Sequence, residues 1–417
     1  MPIWCGPLEM VNEALKNEGY VEFEIAFGRI AALPDGEIAY AVMTYASKDI
    51  EGHIIRTMET PAQQEKCVLE VLFDYTVLEP FGVSAHIVPW NFPISMVGRS
   101  LACSFATGNS TIVKTAELTP LSATFLAKAI ENAGVPNGLI NIICCYGNEA
   151  GSYLVSHPDV NHVVFTGSVS TGKKILHSCA DKTIPAVIEL GGKSAGIVYE
   201  DADLDQVIES ARHGIFGVAG QICTAMSRLV VHKSVKDELI GKLVDLSKSL
   251  KVGPGYEEGT GLTPIISEKQ LEKVEGYARS GVQQGAEAVH GGKRADREGY
   301  FMEATVLNNV KQDSSVAREE IFGPVLSVLE YEDQDEAIHI ANDTDFGLGA
   351  GVFTKDLKKA SWTASKLESG QVYVNKWFAG NHATPFGGYK QSGYSREKGV
   401  DALKSYLQVK NVGISLD

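Results

Sequence analysis

The sequence predicts an α/β protein made of two doubly wound parallel-sheet units with a small β element beside them. Three observations predict it. From residue 83 onward, short apolar runs bounded by turn residues alternate with stretches of helical spacing. The rhythm breaks at Gly191-Gly192 and restarts at residue 195, which makes two units. At 417 residues the chain also exceeds what one ordinary hydrophobic core holds.

Taken in order, residues 1–60 carry the least pattern. Leu8, Val11 and Leu15 share one helical face, so the spacing predicts an amphipathic helix over 9–17, and 39–46 reads as a second. Over 59–79 partial alternation predicts exposed strands, an open edge that needs a partner. In the first unit, strands are predicted at 83–88, 111–114, 139–144, 162–165 and 185–190, with helices at 94–105, 122–132, 149–156 and from about 171. Cys144-Cys145 lies in an apolar run and reads as strand core. In the second unit, strands fall at 195–198, 228–232, 325–329, 349–353 and 372–374, and helices at 204–214, 236–250, 270–284, 336–342 and 357–367. The tail, 406–416, reads as one more extended strand with nothing left in its own sheet to pair with.

Net charge is −15, which argues against nucleic acid or an anionic membrane as partner, since both need basic surface. No run of 18 apolar residues occurs, and the first 30 residues hold no apolar signal region. Seven cysteines are scattered without a CxxC pair, which points to free thiols in a cytoplasmic protein and away from a disulfide framework or a metal site.

Several stretches carry chemistry. Gly220-Gln221-Ile222-Cys223-Thr224 sets a thiol among small and polar residues, where a thiolate would attack a carbonyl carbon; a buried structural cysteine is the alternative. Gly167-Ser168-Val169-Ser170-Thr171-Gly172 follows a strand and opens a helix, as a phosphate site or a plain turn. Lys114 and Glu117 close another strand, where they could hold ribose hydroxyls or form a solvated helix start. Glu189 ends an apolar strand in Glu-Leu-Gly-Gly-Lys; desolvated, it would be a base near neutral pH, and otherwise a salt bridge to Lys193. Asn91, between Trp90 and Phe92, offers an amide for an oxyanion or fixes its own turn. Glu319-Glu320-Ile321-Phe322 could grip a sugar and a flat heterocycle, or simply lead into a strand.

Together and in order, PWNFP at 89–93, KTAE at 114–117, FTGS at 165–168, ELGGK at 189–193, GQICT at 220–224, EEIFGPV at 319–325 and PFGGYKQSG at 385–393 resemble the aldehyde dehydrogenase superfamily, from about Phe81 to the C-terminus. The resemblance implies a Rossmann-like NAD(P)-binding domain and a cysteine nucleophile, Cys223. It implies Glu189 as base, and Asn91 with the Cys223 backbone N–H as oxyanion hole. It implies that Trp90, Lys114, Glu117, Gly167, Ser168, Gly172, Glu320 and Phe322 contact the cofactor, with Ile222 and Thr224 beside the substrate. Glu117 favours NAD over NADP, because its carboxylate repels a 2′-phosphate. Glu189 favours hydrolysis over acyl transfer to coenzyme A. A coenzyme-A-acylating semialdehyde dehydrogenase and a non-catalytic protein on this fold are the competing readings.

The resemblance also sets boundaries: a dinucleotide-binding domain over 1–61 and 81–192, a catalytic domain over 193–395, and oligomerisation strands at 62–80 and 400–417 that imply a homodimer or homotetramer. Two departures stand out. The region ahead of PWNFP looks shortened or replaced. On the following helix, where the family often carries Trp-Lys, this chain has Arg99-Ser100. Arg99 is a candidate for an acidic or phenolic group of an aromatic or carboxylated aldehyde, or else for a structural ion pair.

Overall fold

The computed structural model describes residues 25–32, 38–46, 51–57 and 72–415. Two compact units are present, one of residues 1–80 with 407–417 and one of residues 81–406. In the first, β1 (Ile25–Ala32), β2 (Ile38–Ala46), β3 (Glu51–Thr57) and β4 (Leu72–Pro80) form an antiparallel sheet, completed by β20 (Leu407–Ser415). The tail strand therefore does find a partner. It pairs along all of β4, from Leu407 opposite Pro80 to Ser415 opposite Leu72. The stretch expected to be helical at 39–46 is β2: Tyr40, Val42 and Thr44 favour extended backbone, and β1 and β3 supply ladder partners on both sides. Strands from the stretch 1–61 thus lie in this sheet. The helix expected at 9–17 and the strand residues 62–71 fall outside the described residues.

The second unit holds two parallel sheets. One contains β5 (Val83–Ile87), β6 (Ser110–Thr115), β7 (Ile140–Cys144), β8 (His162–Thr166) and β9 (Ala186–Glu189), in the order β7-β6-β5-β8-β9. Alternation along the strands feeds both faces. Val163 and Phe165 of β8 pack with Ile175 and Leu154 on one side, and Val164 packs with Cys103 and Tyr406 on the other. Cys144 is exposed, because β7 is the outermost strand and its end is open, so the pair at 144–145 is not strand core.

The other sheet contains β10 (Ala195–Val198), β11 (Arg228–His232), β12 (Glu287–His290), β13 (Thr305–Asn308), β14 (Val325–Tyr331), β16 (Gly349–Phe353) and β17 (Gln371–Val374), in the order β12-β13-β14-β11-β10-β16-β17. Only β12 runs antiparallel to its neighbour. Near the end of the unit the chain returns to the first sheet. After β15 (Phe346–Gly347) pairs with β18 (Tyr389–Lys390), β19 (Gly393–Tyr394) adds antiparallel to β9. The helix Gly399–Leu403 follows, with Ala402 packed on Val164 and Val187. The strand expected over 400–417 accordingly begins only at Leu407.

Arg228 locks the two sheets' connecting segment to the second sheet. It is 1% exposed. Its Nε donates to the Lys193 carbonyl (3.0 Å), and its two terminal nitrogens donate to the carbonyls of Ile340 (2.9 Å) and Ala341 (2.7 Å) at the end of the helix Gln334–Asn342. A cation at a helix C-terminus complements the local dipole. Replacing it by an apolar side chain strands three carbonyls, each costing about 1–3 kcal/mol if left unpaired. Arg228→Met is expected to lower unfolding free energy by about 3 kcal/mol or more. Guanidinium unfolding followed by tryptophan fluorescence checks this; an unmoved midpoint contradicts it.

Candidate active site

Cys223 lies between the 3₁₀ turn Gly217–Gly220 and β11. The turn is backbone-strained: Val218, Ala219 and Gly220 have φ of 51°, 51° and 69°. The loop after it is fastened by side chains. Gln221 Nε2 donates to the carbonyls of Val218 (3.0 Å) and Pro264 (3.3 Å), and its Oε1 accepts from the Ile266 N–H at 2.9 Å. Trp377 Nε1 donates to the Thr224 carbonyl at 2.9 Å. The Met226 N–H reaches the Gly214 carbonyl at 2.8 Å.

The two glycines of the segment after β9 serve this loop by their lack of a side chain. A Cβ on Gly192 would stand 2.5 Å from the Cys223 carbonyl oxygen, and one on Gly191 would collide with the Glu320 carboxylate. Glu320 Oε1 instead accepts from the Gly192 N–H at 3.1 Å. The segment 189–193 and the loop carrying Cys223 therefore touch through backbone.

Asn91 Nδ2 donates one hydrogen to the Gln221 carbonyl at 2.9 Å. An amide has a second hydrogen, and the first bond fixes where that one points. Asn91 and Cys223 line the same cavity, of about 660 Å³. Arg99, Trp90, Gly167, Ser168, Ile222, Thr224, Glu320 and Phe322 share its wall, so the structure brings together most of the residues named from the motifs. Glu189 does not line it. It is 1% exposed at the end of β9, and the next two residues, Leu190 and Gly191, are wall. Among the described residues, neither Glu189 oxygen has a hydrogen-bond partner, and neither does Lys193 Nζ. The salt bridge between them is thus not formed.

The cavity opens at a topological switch point. Strand order reverses between β5 and β8, and the residues just past their carboxyl ends, Pro89 to Asn91 and Gly167-Ser168, form part of the wall. Ser168 caps the helix Val169–Lys182, its Oγ accepting from the Thr171 N–H, so a helix N-terminus faces the cavity. A Cβ on Gly172 would lie 2.6 Å from Leu190, so that glycine lets the helix sit against the end of β9. Trp90 meets Phe322 edge-on at 5.3 Å. Helix Glu268–Gln283 holds the 319–322 loop, with Gln270 Nε2 donating to the Phe322 carbonyl (2.9 Å) and Lys273 Nζ to the Glu320 carbonyl (3.2 Å). Lys114 and Glu117 do not line the cavity but pair with each other at 2.6 Å at the end of β6, the neighbour of β5. Burial would raise the Glu117 pKa, but the Lys114 ammonium outweighs it and holds the carboxylate below its ordinary range.

Burial dominates the electrostatics of the centre. It pushes the Cys223 thiol up to about 12; Arg99 pulls it down, and Glu189 and Glu320 push it up further. It lifts Glu189 well above the carboxylate range, with Glu397 adding to the shift and Arg99 and Arg396 opposing it. Glu320 rises to about 7, against the pull of the Gly192 N–H and two lysines. Burial thus shifts each of these groups toward its protonated form relative to water.

Glu397 was not singled out from sequence. It is 2% exposed and ion-paired with Arg99, whose guanidinium also stands 5.0 Å from the Phe386 ring centroid. Arg99 therefore occupies the wall with its charge already matched. Nothing local marked Glu397; its partner lies at the far end of the chain. Phe92, Met96, Phe378 and Phe386 also line the cavity and carried no signal beyond being apolar.

The model of the aldehyde dehydrogenase family matches residues 36–412, beginning well before the first motif at 89. The chain is 44% identical over 344 residues to mitochondrial aldehyde dehydrogenase family 2 member B4 of Arabidopsis thaliana, covering 82% of this chain and 64% of that protein. It is 42% identical over 339 residues to an aldehyde dehydrogenase of Emericella nidulans, covering 81% and 68%. Among solved structures, the NAD+ complex of an aldehyde dehydrogenase from Bacillus cereus superposes with a TM-score of 0.82 at 42% identity, over 83% of this chain and 70% of that one. A matched model over most of the length, relatives above 40% identity and the same α/β architecture, on top of a thiol and an amide sharing one cavity at a switch point, place the chain in the aldehyde dehydrogenase family, NAD(P)-dependent oxidoreductases of aldehydes.

Proposed function

We propose that the chain oxidises an aldehyde to its carboxylic acid with NAD, through a thioester on Cys223. The observation that carries this reading is the single cavity in which the Cys223 thiol, the oriented Asn91 amide, a capped helix N-terminus and the Glu320 loop meet. The six-stranded sheet is the cofactor-binding part and the seven-stranded sheet the catalytic part. NAD fits the residues present: the pyrophosphate at Ser168, the nicotinamide ribose at Glu320 and Phe322, the adenosine ribose at Lys114 and Glu117. When bound, it supplies the acceptor for the aldehyde's hydride.

The thiol, held protonated by burial, gives its proton to Glu189, whose raised affinity suits the exchange. Sulfur then bonds to the aldehyde carbon, and the carbonyl oxygen becomes an oxyanion. The free hydrogen of Asn91 Nδ2 and the Cys223 backbone N–H stabilise it. As the C–H electron pair departs, the carbonyl re-forms and the carbon is left as a thioester on Cys223. Glu189, after passing the thiol's proton to solvent, takes a proton from water; hydroxide adds to the thioester, and the C–S bond breaks to release the acid and the Cys223 thiolate, which takes its proton back from Glu189.

The antiparallel sheet of β1 to β4 and β20 is proposed as the oligomerisation element, because among the described residues its outer strands β1 and β20 each pair on one side only. Val409 on β20 is 70% exposed. The free thiols, five among the described residues, support a cytoplasmic location.

NADH appearance with a panel of aldehydes tests the reading. Cys223→Ala is expected to abolish it, and Asn91→Ala to lower kcat about 10²–10³-fold with NAD affinity retained. Full activity in Cys223→Ala contradicts the nucleophile. A base with a raised pKa works only once deprotonated, so kcat/KM is expected to rise with pH through and above neutrality. In Glu189→Gln that limb should vanish, with turnover down about 10²–10⁴-fold; a pH profile parallel to the wild type argues against Glu189. Light scattering at micromolar concentration is expected to give a dimer or tetramer; a monomer contradicts the assigned sheet.

A further inference from the structure

The cavity wall carries three basic side chains, and each already has a partner. Arg99 is ion-paired with the buried Glu397 and stacked on Phe386. His213 Nε2 is 2.8 Å from Glu209 Oε1. Lys273 Nζ donates to the Glu320 carbonyl and stands 5.7 Å from the Tyr277 ring centroid. Glu320 is also in the wall, and the fields of Glu189 and Glu320 both reach Cys223. A substrate carboxylate entering beside Cys223 would lose its water and find the Arg99 charge already matched by Glu397.

Beside these polar groups the wall is rich in rings and other apolar side chains. Phe92, Phe378 and Phe386 are joined by Met96, Val218 and Ile222. Phe386 is 8% exposed, whereas Phe92 and Phe378 keep more than a third of their surface open. Phenyl rings bind a flat aromatic partner by offset or edge contacts that an alkyl chain does not supply.

We propose that the substrate is an uncharged aromatic aldehyde, and that Glu397 enforces this by neutralising Arg99. This rests on the reading of the chain as an aldehyde dehydrogenase. The Arg99 guanidinium, which the sequence alone offers as a receptor for an acidic group, is withdrawn from that role by a carboxylate belonging to the chain itself. Glu397 is thus a specificity-determining residue that acts through Arg99.

The test compares matched aldehydes and then frees the cation. With NAD, kcat/KM for benzaldehyde is expected to exceed that for 4-formylbenzoate by at least ~100-fold, and to exceed that for hexanal. In Glu397→Gln, an isosteric change that leaves Arg99 unneutralised, the ratio of benzaldehyde to 4-formylbenzoate should fall at least about tenfold. Equal or better use of 4-formylbenzoate by the wild type overturns the proposal, as does a better rate with hexanal or an unmoved ratio in Glu397→Gln. A second measurement needs no turnover. Acetophenone should protect Cys223 from iodoacetamide at pH 9, read by peptide mass mapping, at concentrations where 4-acetylbenzoate does not. If no aldehyde yields NADH, the dehydrogenase reading fails, while this protection still decides what the cavity accepts; equal protection by the two ketones overturns the proposal.

Discussion

The site depends on the contact between two loops that arrive from different strands: the segment leaving β9 with Glu189, and the segment entering β11 with Cys223. They approach closely enough that the Cys223 carbonyl occupies the place of a side chain at Gly192. Arg228, at the first position of β11, reaches back to the Lys193 carbonyl, and its own N–H bonds to the Ser194 carbonyl at 3.1 Å. One buried guanidinium thus fixes the segment after Glu189 to the strand after Cys223. Because it also holds two carbonyls of the helix Gln334–Asn342, the whole second sheet backs that connection. Preorganisation of this kind removes the cost of assembling the groups at each turnover.

Such packing has an electrostatic consequence. A thiol and three carboxylates are gathered close together, and burial shifts all of them toward their neutral forms. One guanidinium, Arg99, opposes the shift at Cys223, Glu189 and Glu397 alike. Its direct ion pair is with Glu397, so the influence on the other two is that of a charge already half balanced. In the proposed reaction, the proton passes between Cys223 and Glu189, whose affinities both lie above their values in water.

Much of this was legible. Strands at 228–232 and 349–353 were read to the residue, because their apolar runs are short and bounded by turns on both sides. The two parallel sheets followed from the alternation of strands and helices, whereas the strand order and its switch point came from the fold. Elements whose stability comes from elsewhere in the fold were not visible. β2 reads locally as a helix and is a strand because two neighbours pair with it. β12 and β13 are four residues each and carry too little pattern. β19 has two residues and exists only because the open side of β9 accepts it. Among the residues named from motifs, most line the cavity, since a Gly-rich or Pro-bounded turn displays its side chains. Glu397 was missed because its meaning lies in a pairing with Arg99 that only the folded chain creates.

That pairing explains why the chain crosses back to the first sheet after β18. An Arg facing a cavity beside a buried carboxylate base would be expensive to leave unmatched, and nothing on its own helix, Pro93–Ala106, provides an acid. The return through β19 carries Glu397 to it. The bridge between Phe386 and Glu397, with reciprocal N–H to carbonyl bonds of 2.6 and 2.7 Å, brings the ring under the guanidinium in the same step. The last turn of the catalytic chain thus closes the wall and sets its charge through one local ladder. The specificity of the cavity is therefore a property of how the two sheets are connected as well as of the residues around the thiol.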